Sequence, residues 1–133
     1  MNFVSGADTV MADYLVDTNV LSKFFAGDAD VKTFLGTIDF AINTVVYIEL
    51  AQGSIKKQQR ELIERHLSTL KYYPLTPAIS KKAIELINKY SAAEGLFLPD
   101  ALVAATVIEH DLELVTFNIK DFKFIKEIKV TEP

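Results

Sequence analysis

Residues 14–22 read YLVDTNVLS, and the break inside this stretch organises the rest of the chain. An apolar run over 14–16 reaches Asp17 and gives way at once to Thr18 and Asn19. Helix-like spacing then resumes at Val20 and Leu21. A run this short suits a buried strand rather than a helix. Polar side chains placed directly after a strand serve as a helix cap or as the corner of a site. As a cap, Asp17 lacks the Glu or Gln three positions on that a capping box needs, because that position is Val20.

Outward from this corner, strand-like and helix-like segments alternate. TNVLSKFFA reads as a short helix stopped by Gly27, DADVKTFLGTI as a second helical piece, and DFAIN as a second strand. Thr44 offers a cap for a helix through VVYIELAQ that stops at Gly53. In KKQQRELIERHLSTL, Leu62, Ile63, His66, Leu67 and Leu70 form one stripe opposite the charges. YYPL is a strand or linker. Thr76 followed by Pro77 opens the next helix, whose apolar face is Ile79, Ala83, Leu86, Ile87 and Tyr90 and whose end is Gly95. PDALVAATVIEH is a nearly all-apolar, central helix. LELVT is a buried strand, NIKDFKFI a turn or short helix, and EIKV a last strand. Such alternation predicts an α/β fold with a parallel sheet and crossover helices on both faces. Ligands of such sheets gather beyond the carboxyl ends of the strands.

Residues 1–13 lack periodicity and read as a flexible lead-in, and 14–133 as a single domain. The 133 residues are 50% apolar and 24% charged, which excludes general disorder. The absence of cysteine excludes disulfides and thiolate metal sites. With neither a membrane-length apolar run nor a signal-peptide pattern, the expected location is the cytoplasm. The net charge of −4 argues against a bulk nucleic-acid binder but is neutral towards a metal-dependent nuclease.

The acidic residues carry the chemistry. Asp17 closes the first strand, Asp100 opens the central helix, Asn118 and Asp121 follow LELVT, and Glu49 lies on the helix after the second strand. Most of these positions fall at one edge of the forecast sheet. Asp100 beside Pro99 also suits the dipole of a first helical turn. Glu49 is harder to explain structurally: Val45, Val46, Ile48, Leu50 and Ala51 surround it, and a carboxylate there needs a cation, a hydrogen-bond network or an exposed patch. Carboxylates sharing a pocket repel, and a divalent cation reverses that. Oxygen-only ligands suit Mg2+ or Mn2+, and the reaction class this chemistry points to is metal-assisted phosphodiester hydrolysis.

LVDTNVLS, YIELAQG, LPDALVAAT and LVTFNIKDF, in that order, resemble the motifs of PIN-domain ribonucleases, in particular the VapC-type toxins of toxin–antitoxin pairs. The similarity runs from about Tyr14 to the C-terminus. It implies a three-layer α/β/α sandwich with a mainly parallel sheet, Mg2+- or Mn2+-dependent endonuclease action on single-stranded RNA, homodimerisation and a cognate antitoxin. By position, Asp17, Glu49 and Asp100 match the metal-coordinating acids. Thr18 and Asn19 match the residues that orient the first aspartate, and Thr116 matches a supporting threonine. Where many members carry a fourth acid this chain has Asn118, with Asp121 three residues on. The implied mechanism holds the metal on Asp17 and Asp100, with Glu49 and either Asp121 or Asn118 orienting the attacking water.

Lys56, Lys57, Arg60, Lys120, Lys123, Lys126 and Lys129 read as solvated charge that could meet RNA phosphates. His66 and His110 have structural or surface roles. Phe24, Phe25, Phe34, Tyr47, Phe97, Phe122 and Phe124 read mostly as core, and a few near the start and in the middle could line a groove that accepts an antitoxin helix or strand. One alternative function is a non-catalytic binding module of the same fold. A weaker one is a haloacid-dehalogenase-type phosphatase, which would want an acid where Asn19 stands.

Overall fold

The structure, a computed structural model, describes residues 11–53 and 56–133. Residues 1–10, most of the expected lead-in, lie outside the described residues. The elements are β1 (Tyr14–Val16), α1 (Thr18–Phe25), α2 (Ala29–Leu35), β2 (Phe40–Asn43), α3 (Thr44–Gly53) and α4 (Lys57–Leu67). They continue with β3 (Lys71–Tyr73), α5 (Pro77–Glu94), α6 (Leu98–Glu109), β4 (Glu113–Val115), a 3-10 turn (Ile119–Asp121) and β5 (Lys129–Thr131).

All four strand pairings are parallel, and the strand order is β3-β2-β1-β4-β5. The chain therefore walks outward from β1 to β3, returns past β1 to β4, and continues to β5. With right-handed connections, the helices of the outward walk and those of the return fall on opposite faces. The three-layer α/β/α sandwich is the observed architecture. The direction reverses between β1 and β4, and in open parallel sheets that junction is where a crevice forms at the carboxyl edge. Val16 pairs with Val115 there, so Asp17 and Thr116 leave the sheet side by side. Among the described residues no helix is long and apolar enough to cross a membrane.

Local chemistry sets the helix ends. Thr76 accepts a hydrogen bond from the amide of Ile79, Pro77 opens α5, and Gly95 closes it in the left-handed conformation with φ 72°. The α3 helix departs from expectation. Asn43, not Thr44, caps it: its Oδ1 accepts from Val46 N at 3.0 Å, while Thr44 pairs its hydroxyl with that of Tyr72. Asn43 is fully buried, and its Nδ2 donates to Thr106 Oγ1 at 3.1 Å. One side chain thus fixes α3 against α6.

The core runs through Leu15, Val16, Ala41, Ile42, Leu114 and Val115 of the sheet and through Ala101, Val103, Ala104, Ala105 and Val107 of α6. Burial of α6 nearly all round explains its lack of a polar face. In α4 only Ile63 and Leu67 are buried. Leu62 is 63% exposed, because it sits about 100° round the helix from Ile63 and only one of two adjacent residues can centre the stripe. Phe97, read with the core aromatics, is 74% exposed in the connection leading into α6.

Candidate active site at the carboxyl edge of the sheet

The corner after β1 serves two purposes at once. Asp17 is the N-cap of α1, its Oδ1 accepting from Thr18 N at 2.8 Å. Its other oxygen, Oδ2, accepts from Thr116 Oγ1 at 2.9 Å and from Asn19 Nδ2 at 3.4 Å. The backbone is joined as well, with Asp17 N donating to Val115 O at 2.9 Å. Cap and site are therefore the same feature, where the sequence offered them as alternatives.

Thr116 is fully buried and its hydroxyl is completely used. It accepts from Asn19 Nδ2 at 3.1 Å and from Asn118 N at 3.0 Å, so its one proton is committed to Asp17. Asn19 turns its carbonyl oxygen to Phe117 N at 3.1 Å and thereby clips the start of α1 to the exit of β4. Thr18 points its hydroxyl elsewhere: Oγ1 donates to Glu49 Oε1 at 2.6 Å. Glu49 is half-buried and is held by this bond, which answers the solvation problem its apolar helix raised.

The remaining acids face the same space. Burial pushes the Asp100 carboxyl up to about 6, with Asp17, Asp121 and Glu49 adding to the effect. Asp17 is also raised, chiefly by burial, with Glu49 and Asp121 contributing and with the bonds from Thr18 and Thr116 opposing. Every charge acting on Asp100 is negative. Of the two candidates near the end of β4, Asp121 acts electrostatically on Asp17 and Asp100, whereas Asn118 is exposed and takes part through its backbone amide. The structure brings Asp17, Thr18, Asn19, Glu49, Asp100, Thr116 and Asp121 to one edge. The residue that sequence reasoning missed is Asn43, which fixes the helices carrying Glu49 and Asp100. Its signal was present, since asparagine directly before a helix is a strong cap.

The donors are all oxygens, which suits a hard divalent cation. Among the described residues no three carboxylates or imidazoles converge tightly enough to make a ready cage. This arrangement fits an ion held by one or two carboxylates that keeps several of its waters.

A model of the PIN domain matches residues 14–127. The chain belongs to the PIN-domain family. Ribonuclease VapC10 of Mycobacterium tuberculosis is 29% identical to this PIN protein over 120 residues, covering 86% of this chain and 90% of that one. Ribonuclease VapC of Rickettsia bellii is 27% identical over 124 residues, covering 87% and 92%. Among solved structures, a chain of a toxin–antitoxin complex from Klebsiella pneumoniae has 32% identity and a TM-score of 0.77, over 90% of this PIN protein and 96% of its own length. VapBC2 from Rickettsia felis, solved with a DNA fragment from its promoter, has 26% identity and a TM-score of 0.78, covering 90% and 98%.

Proposed function

We propose that this PIN protein is a metal-dependent endoribonuclease acting on single-stranded RNA, and the toxin of a toxin–antitoxin pair with a cognate antitoxin. The observation that carries the reading is the field at Asp100, where burial and three further carboxyl groups oppose ionisation and no positive charge contributes. A divalent cation is the natural complement of such a field. The names of the VapC ribonucleases and of the solved toxin–antitoxin complex support the same activity and the same kind of partner.

In this reading Asp17 and Asp100 would hold Mg2+ or Mn2+, with Glu49 meeting it through a water, and the ion when bound would neutralise charge on the scissile phosphate and acidify water. The chain's own groups do the rest. Thr116 donates to Asp17 and keeps that oxygen an acceptor; Thr18 fixes Glu49, which with Asp121 orients the attacking water and takes its proton. Asn118 supplies the amide that completes Thr116. Residues 14–133 act as one domain, and a homodimer in the cytoplasm completes the proposal. The phosphatase alternative loses ground because Asn19, where a second acid would stand, is occupied with Thr116 and Phe117.

The test is cleavage of a pool of single-stranded RNAs by antitoxin-free protein, with Mg2+ or Mn2+ and with chelator. Cutting is expected only with metal, and is expected to be lost in Asp17→Asn and Asp100→Asn. A wild type that takes up the metal and cuts no RNA would favour the non-catalytic module.

A further inference from the structure

Beside the acids, a cavity of about 200 Å3 opens between α1, α3 and α4. Ser22 and Phe25 of α1, Glu49 and Leu50 of α3, and Gln59 and Ile63 of α4 line it. Leu50 and Ile63 are buried and make an apolar floor, while Ser22 and Gln59 are exposed at the rim. Phe25 is half-buried, and its ring is set nearly perpendicular to those of Phe24 and His66, at 5.4 Å from each. Glu49 belongs both to this cavity and to the acidic site, so whatever fills the cavity is a neighbour of the reacting group.

We propose that this cavity receives the base of a nucleotide adjacent to the scissile phosphate, and that Gln59 reads its edge. The inference rests on the ribonuclease reading above. Single-stranded RNA is recognised by bases splayed into pockets, stacked on aromatic rings and hydrogen-bonded at their edges. The cavity offers those parts in order: an apolar floor, a fixed ring, and an amide with both donor and acceptor at the rim. Its volume is enough for one planar base. Lys56 and Lys57, exposed at the start of the helix that supplies Gln59, suit the phosphates of the strand as it leaves.

The experiment has two arms on the full chain. In the first, cut ends from a randomised single-stranded RNA pool are sequenced for the wild type, Gln59→Leu, Gln59→Glu and the neighbouring surface control Gln58→Leu. Gln59→Leu is expected to lower base preference at one position beside the cut by about tenfold, the worth of one or two net hydrogen bonds. Gln59→Glu, which offers only acceptors, is expected to move that preference towards guanine, whose pairing edge presents two adjacent donors. Gln58→Leu should match the wild type. Unchanged preference in both Gln59 variants, with cutting intact, overturns the proposal while leaving the ribonuclease reading standing.

The second arm needs no cleavage. Metal-free protein is titrated with the four nucleoside 5′-monophosphates while the Gln59 side-chain amide and the Phe25 ring are followed by NMR. Base-dependent shifts at both groups are expected, even if the catalytic reading fails. Shifts confined to other residues, no shifts at all, or a response of these two groups to an antitoxin peptide and to no nucleotide, would each overturn the assignment.

Discussion

Thr116 donates its only hydroxyl proton to Asp17 across the junction of β1 and β4, at 2.9 Å, although the two residues are 99 positions apart in the chain. Both of its lone pairs are taken by Asn19 and Asn118, so the bond has one polarity. This relationship fixes the first acid at the point where the strand order reverses.

Thr116→Val keeps the shape and removes the hydroxyl, leaving Asp17, Asn19 and the Asn118 amide each short of a bond, the one to Asp17 in a buried place. The expected loss of stability is about 2 kcal/mol, read from urea unfolding, with Thr116→Ser restoring most of it. Equal stability of the valine variant would mean that the network is not formed.

Asp100 gives a pH dependence of defined sign. Its folded-state value, about 6, lies above that of a free aspartate, so the folded state binds the proton more tightly than the unfolded chain. Between about pH 4 and pH 6 the unfolded chain gives up that proton first, and the group's contribution turns unfavourable as the pH rises. In chelator at neutral pH, Asp100→Asn is therefore expected to be more stable than the wild type by about 1 kcal/mol, a figure reduced for the partial exposure of the group. The gain should vanish below about pH 4. Thermal unfolding of both proteins across this range checks it.

Much of the fold was legible because its signals are local. Thr76, Pro77 and Gly95 mark the ends of α5 through the conformations those residues adopt, and three short apolar runs mark the buried strands. What was misread depended on distant partners. Thr44 and Asn43 are both good caps by type, and only the position of Thr106, 63 residues beyond Asn43, settles that Asn43 turns inward. Thr18 was matched through the motif to the residues that orient Asp17; its backbone amide bonds Asp17, and the part that needed a distant partner is its hydroxyl, which meets Glu49 from 31 residues away. Phe97 counts as apolar in any composition, but in the connection leading into α6 it is 74% exposed.

Asn43 should matter to both stability and activity. Asn43→Ala removes the cap of α3 and its tie to Thr106, with an expected cost of about 2–3 kcal/mol. Residual cutting by the folded fraction should also fall, because Glu49 and Asp100 ride on the two helices it joins. Denaturant unfolding, paired with activity normalised to folded protein, separates the two effects.

Thr18 tests the holding of Glu49. Thr18→Val is expected to lower the rate of RNA cutting about tenfold with little change in stability, since the residue is only half-buried; Thr18→Ser should stay near the wild type. A valine variant as active as the serine one would show that Glu49 needs no such support.

The most direct test is the dependence of cutting on Mn2+ concentration, measured for the wild type and for Asp100→Asn on the same RNA. The expected wild-type curve starts at zero in chelator and saturates, while Asp100→Asn is inactive or needs at least about tenfold more metal. Cutting that persists in chelator, or two curves that coincide, would contradict a metal-dependent site built on these acids.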